Sequence, residues 1–252
     1  MPTRKKYGWR PSLPDQRDHI FSAPYVNMKS LPSVVDLRSK MPAVYDQLNI
    51  GACTANAIAA AIEYELGIQH TTIGVPSRLF IYYNERVIEG SVGSDAGASL
   101  RDGLKTVAKN GVCPETEWTY DPTKYANKPS PLCYTNALHN IVTSYSSVPQ
   151  NLTQMKTLLS LGHPICVGIS IYDSFESDAV ALSGMVPMPR QSENMLGGHA
   201  VLVVGYSVAS SMFIVRNSWG SDWGIGGYFE IPFAYLLDTQ LSCDFWTIKL
   251  VK

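Results

Sequence analysis

The chain changes its hydrophobic period partway along, and that change limits the folds open to it. Residues 53–66, CTANAIAAAIEYEL, are rich in alanine, a strong helix former, and stop at Gly67. Residues 77–89, SRLFIYYNERVIE, follow a proline and set Leu79, Tyr82, Tyr83 and Arg86 at helical spacing. Residues 99–109 begin at a serine cap and end before Asn110–Gly111, a usual helix stop. A Pro/Tyr/Trp-rich loop follows at 113–135. Beyond it the apolar runs become strand-like: 164–171, PICVGISI; 199–206, HAVLVVGY; then 212–217, 227–231 and 245–251. One short helix is expected near 152–161. Helices first and strands second predict an α+β protein with two lobes, the second an antiparallel sheet or partial barrel. A cleft between the lobes is the expected place for a site.

The composition removes several function classes. With 252 residues the chain can bury a sizeable core without staples. Its 20 Lys+Arg against 21 Asp+Glu leave a net charge of −1, which speaks against a nucleic-acid partner. The apolar segment 195–215 contains Gly197, Gly198, His199 and Gly205 and reads as a buried strand pair, not a membrane span. No membrane association is expected. The basic N-terminus has no apolar run behind it, so no secretory signal is read there. The five cysteines, Cys53, Cys113, Cys133, Cys166 and Cys243, form no CxxC and no Cys/His cluster, so no metal site is expected. Their scarcity leans toward the cytoplasm. Pairing of Cys113 with Cys133 across one loop would reverse that lean. Residues 1–30 carry prolines, basic residues, Tyr7 and Trp9 without any period, and are expected to form an extended arm. Three roles fit the arm: a short pro-segment across the cleft, a strap on the sheet lobe, or a loose tail.

Four residues carry a chemical suggestion. Cys53 opens a helix, where unpaired N–H groups and the helix dipole favour a thiolate. Gly51 and Ala52 before it leave room for a substrate backbone. His199 opens a hydrophobic strand behind Gly197 and Gly198, a position from which it reaches a cleft. His19, His70, His139 and His163 lack such a setting. Asn217, in RNSWGSDWGIGGY, ends a strand; its amide oxygen is expected to accept the imidazole Nδ1–H and turn Nε2 to the thiol. Trp219 shields that bond. Gln47, six positions before Cys53, offers an amide NH2 to an oxyanion beside the Cys53 N–H.

Taken in order, Asp46-Gln47, Gly51-Ala52-Cys53, Gly197-Gly198-His199-Ala200 and Asn217-Ser218-Trp219-Gly220 resemble the papain-like cysteine peptidases. Trp223-Gly224, Gly227-Tyr228, Asp95-Ala96-Gly97 and Gly111-Val112 extend the likeness over residues 31–252. The resemblance implies a helical lobe at about 46–130 and a β lobe at about 131–252. It implies a thiol protease, with Cys53 as nucleophile, His199 as base and acid, Asn217 as orienter and Gln47 as oxyanion donor. It needs no cofactor and no metal, and its partner is a peptide or protein substrate. Gly97, Ala98, Ser99 and Leu100 would bind the substrate backbone and wall a pocket, with Gly198, Ala200 and Trp219 near it. Asp244 would fall near the base of that pocket and favour a basic side chain, but the position reads better as an ordinary exposed carboxylate. Two departures stand out. Ile50 replaces a cysteine common in the family, so one disulfide is absent, and Thr54 replaces a tryptophan after the nucleophile. The family's long helical pro-region is also missing. The expectation is a monomeric endopeptidase with a short N-terminal extension, whose role as a zymogen segment, a strap or a loose tail stays open. An inactive binding protein of the same fold, and an amidase or isopeptidase with the same residues, remain alternatives.

Overall fold

The alanine-rich run becomes α1, Cys53–Ile68, and the small side chains explain its position. Every residue from Cys53 to Ile62 is buried, because alanine lets neighbouring elements approach on all sides. This computed structural model describes residues 6–23 and 31–251 of the chain. Beside α1 lie α2, Arg78–Ile88, and α3, Leu100–Asn110. Ser77 caps α2 by accepting from the Phe80 N–H at 3.2 Å, and Ser99 caps α3 by accepting from the Asp102 N–H at 3.3 Å. Gly111 ends α3 at φ 68°, a left-handed position that suits glycine.

The second part of the chain builds a seven-stranded sheet. Its strands are β1 (Val34–Asp36), β2 (Val142–Ser147), β3 (Ile165–Tyr172), β4 (Met195–Ser207), β5 (Met212–Arg216), β6 (Tyr228–Pro232) and β7 (Ser242–Val251). The order is β2-β7-β3-β4-β5-β6, with β1 paired to β4, and every pair is antiparallel. The sheet is open, not closed into a barrel. The apolar segment 195–215 is the β4–β5 hairpin, and no helix among the described residues is long and apolar enough to cross a membrane. α1 packs against β4 and β7, so the start of the central helix faces the strand that carries His199.

Some short elements escape the sequence patterns. The segment 113–135, expected as loop, contains a 3-10 turn at Pro122–Lys124 and the start of α4, Pro131–Ala137. The expected helix near 152–161 is α5, Leu152–Ser160, capped by Asn151. Two further short helices, α6 (Asp178–Ser183) and α7 (Phe233–Leu237), are too brief to show a helical period.

Residues 6–23 of the arm run over both parts of the molecule; residues 1–5 and 24–30 of the expected arm lie outside the described residues. The arm first crosses the top of α1. It then bridges Ile20 to Ser147 beside β2, where Phe21 N–H donates to the Ser147 carbonyl at 2.7 Å. Phe21 is buried there.

Candidate active site

Cys53 stands at the first turn of α1, and its sulfur meets residues of three separate chain segments. Backbone N–H groups of Ala200 on β4, Gly8 of the arm and Thr54 lie close enough to favour its anion. The Gln47 side chain is fully buried nearby: Oε1 accepts from Ser218 Oγ at 2.7 Å. Its amide nitrogen donates to the carbonyls of Lys6 and Ile50, each at 3.0 Å. Both amide hydrogens are thus taken, one of them by the arm.

His199 lies opposite Ile169 in the β3–β4 register, and Asn217 follows β5 directly. The histidine Nε2 sits 2.8 Å from Asn217 Oδ1. The same oxygen accepts from the Ser218 N–H at 2.8 Å, which marks it as the oxygen and Nε2 as the protonated nitrogen. This reverses the expected orientation, in which Nδ1 would bond Asn217 and Nε2 would face the thiol. Leu202 pairs with Arg216, which brings Asn217 alongside the strand that carries His199, and the imidazole is rotated so that Nε2 faces the amide. Trp219 stacks on the imidazole, with centroids 4.9 Å apart and planes at 27°, and covers the His199–Asn217 bond. Phe175 and Trp223 pack edge-on against Trp219 in turn.

The thiol environment also differs from expectation. A helix start favours the thiolate, yet Cys53 and His199 both have 0% exposure. Burial pushes the Cys53 thiol up to about 11, and the N–H groups of Ala200 and Gly8 only partly offset it.

The arm fills the groove over these residues. Trp9 N–H donates to the Gly198 carbonyl at 3.0 Å, Ala98 N–H to the Gly8 carbonyl at 2.7 Å, and Arg10 N–H to the Ala98 carbonyl at 3.0 Å. Trp9 and Ala98 form a parallel bridge. Of the expected substrate-binding residues, Ala98, Gly198 and Ala200 therefore touch the arm or the sulfur. Gly97 has its Cβ position blocked by the Gly8 carbonyl, Ser99 caps α3, and Leu100 is buried beneath. A Cβ on Gly8 would overlap the Gly51 carbonyl, so this contact is backbone against backbone. Tyr7 lies edge-on to His199 at 6.1 Å and near Trp219, and its hydroxyl donates to Glu176.

Asp244 is not the ordinary exposed carboxylate expected. Its Oδ2 accepts from Trp9 Nε1 at 3.1 Å and from Ser12 Oγ at 2.9 Å, and its Oδ1 from Trp246 Nε1 at 2.7 Å. The Trp9 indole lies on Gly168, where no side chain fits, and Asp244 meets its polar end.

Two residues that position the site were not singled out from sequence. Asp95 accepts from the Gly51 N–H at 3.0 Å and from the Tyr82 hydroxyl, and pairs with Lys6 of the arm. It joins the turn before Cys53 to the Gly97–Ala98 wall; its place in the Asp95-Ala96-Gly97 block was the available signal. Glu85 accepts from Thr54 Oγ1 at 2.7 Å inside the protein, and burial pushes its carboxyl well above the usual range. Nothing in a helical period marks Glu85, since its partner is the departure Thr54.

A thiol at a helix start, an imidazole held by an amide across a sheet, and a buried glutamine amide define a thiol hydrolase constellation set between helices and sheet. The family profile of papain family cysteine proteases matches residues 31–239. The chain belongs to this family and is a papain-family cysteine protease. It is 38% identical to an uncharacterized peptidase C1-like protein of Acanthamoeba polyphaga mimivirus, over 98% of this chain and 88% of that one. A viral cathepsin of Cydia pomonella granulosis virus is 29% identical over 80% of this chain, which spans 57% of that protein. The crystal structure of xylellain, a cysteine protease from Xylella fastidiosa, superposes with a TM-score of 0.91 at 43% identity, covering 100% of this chain and 99% of that one. The fold also matches a digestive procathepsin L 3 of Tenebrio molitor, with a TM-score of 0.69 at 22% identity over 90% of this chain and 73% of that one.

Proposed function

We propose that the chain is an endopeptidase that hydrolyses peptide bonds through an acyl-enzyme on Cys53, and that residues 6–12 hold it in a closed form. His199 takes the thiol proton on Nδ1 while Asn217 holds Nε2–H. The thiolate attacks the scissile carbonyl carbon, and the carbonyl electron pair moves to an oxyanion facing Gln47 Nε2 and the Cys53 N–H. The imidazolium then gives its proton to the leaving amine as the C–N bond breaks. Water, deprotonated by the same nitrogen, cleaves the thioester and restores the thiol. An endopeptidase fits because the groove carries a continuous backbone from Lys6 to Ser12, with chain passing beyond the sulfur in both directions.

The observation that carries the closed form is what the arm offers the sulfur. It presents the Gly8 N–H, while the Lys6 carbonyl takes one hydrogen of Gln47. An N–H donor at the nucleophile gives it nothing to attack, so the segment blocks without being a substrate. Lys6–Asp95, Arg10–Glu89 and Arg101–Asp18 add charge pairs along the arm. The test is hydrolysis of a denatured protein substrate by a chain lacking residues 1–12. Activity that vanishes in the Cys53→Ala variant and is much lower in the full chain is expected. Equal activity with Cys53→Ala would overturn the assignment.

A further inference from the structure

We propose that Cys113 and Cys133 form a reversible disulfide that braces the loop between α3 and β2. Both thiols are buried, at 0% and 2% exposure. The two sulfurs and a carboxylate oxygen of Glu117 all lie within 4.8 Å of one another. The backbone holds this meeting in place. The Cys113 carbonyl accepts from the Ser77 N–H at 2.8 Å, at the start of α2. Val112 N–H donates to the Asn140 carbonyl at 3.1 Å, and Asn140 Nδ2 returns a bond to the Val112 carbonyl at 3.2 Å. The segments bearing the two cysteines are therefore stitched together independently of the sulfurs. Cys133 sits in the first turn of α4, its Sγ 3.3 Å from Ser130 Oγ.

The bond would close a loop that touches the catalytic lobe. Tyr120 within it donates its hydroxyl to the Gln47 carbonyl at 2.9 Å, and the Trp118 carbonyl accepts from Ser77 Oγ at 2.7 Å. Arg78 lies over the Tyr120 ring at 3.9 Å and pairs with Glu115 at 2.7 Å. A cation held by the same three side chains is the competing occupant. It would need both thiols deprotonated at once in a buried place, and Glu117 is already held through Oε1 by Asn136 Nδ2 at 2.9 Å. Thiol–disulfide exchange needs only one thiolate at a time.

The chemistry balances with a low-molecular-weight disulfide as oxidant. One protein thiolate attacks a sulfur of the oxidant, forming a mixed disulfide and releasing one thiolate. The second protein thiol loses its proton and attacks the protein sulfur, forming the S–S bond and releasing a second thiolate. Two protons and two electrons pass from the cysteine pair to the oxidant, which leaves as two thiols. Burial and the neighbouring sulfur push the Cys113 thiol upward, so the first thiolate forms only when the buried pair opens locally.

The test equilibrates the full chain, carrying Cys53→Ala to keep that thiol out of exchange, with oxidised and reduced glutathione. Peptide mapping by mass spectrometry is expected to find Cys113 joined to Cys133. The oxidised form is expected to melt roughly 5–10 °C above the reduced form, as closure of a loop of this length implies. The shift should disappear with dithiothreitol and in Cys113→Ser and Cys133→Ser. Mapping alone decides the matter if those variants fail to fold. Free thiols at both positions under oxidising conditions, linkage to Cys166 or Cys243, or one tightly bound zinc ion per chain that blocks oxidation would overturn the proposal.

Discussion

Cys53 feels two opposed influences: the start of α1 draws its proton off, and complete burial holds the proton on. Burial wins while the arm is seated, which places the thiol at about 11. A thiol titrates to its reactive anion above its pKa, so few of these sulfurs are thiolates at neutral pH. The rate of alkylation by iodoacetamide in the full chain is therefore expected to keep rising to about pH 11. In a chain lacking residues 1–12, solvent reaches the sulfur, and the profile should move to lower pH; an unchanged profile would show that the arm does not set it. Cys53, His199, Asn217 and Gln47 were readable in the sequence because each lies in a compact block of neighbours. The orientation of the imidazole was not, because it depends on the rotation of the His199 side chain, which no residue spacing fixes. Asp244 was not readable either. It sits at φ 66° beside the register shift between β3 and β7, where counting residues along a strand loses the side-chain direction.

At the scale of elements, the arm and α1 meet where neither has side chains to spare. Gly8 lies against Gly51, so Gly8→Val cannot be absorbed by moving a side chain and must lift the arm. Full-length Gly8→Val is expected to hydrolyse substrate about tenfold faster or more than the natural chain, with melting temperature little changed. A lower activity in steady-state assay would contradict this. Behind α1, Glu85 holds Thr54 as a neutral carboxyl, with Oε2 unpartnered among the described residues. Glu85→Gln conserves shape and lacks the charge already suppressed, so it should alter unfolding free energy by less than about 1 kcal/mol. Glu85→Ala leaves a cavity and a buried hydroxyl without its acceptor and should cost about 2–4 kcal/mol, measured by denaturant unfolding. The helices α1, α2 and α3 were legible from period and caps. The elements α4, α6 and α7 were not, since five to seven residues complete fewer than two turns.

Across the whole molecule, helices and sheet present their functional groups from opposite sides, and one extended segment lies between them. The order of patterns along the chain disclosed the α+β class because each part keeps its own period. The path of the arm was not disclosed, because extended chain without a period leaves its partners open. What fixes that path is complementarity scattered over distant residues: Lys6 with Asp95, Tyr7 with Glu176, Trp9 with Asp244 and Gly168, Phe21 with Ser147 at the end of β2. Each exposed charge pair adds little alone, and the backbone bonds and the buried indole carry most of the hold.

The most direct test compares the rate at which an epoxide inhibitor of papain-type thiols adds to the full chain and to the chain lacking residues 1–12, read by intact mass and peptide mapping. One adduct is expected, on Cys53, forming about tenfold faster or more once the arm is gone. Equal rates in both forms, or an adduct anywhere other than Cys53, would contradict it.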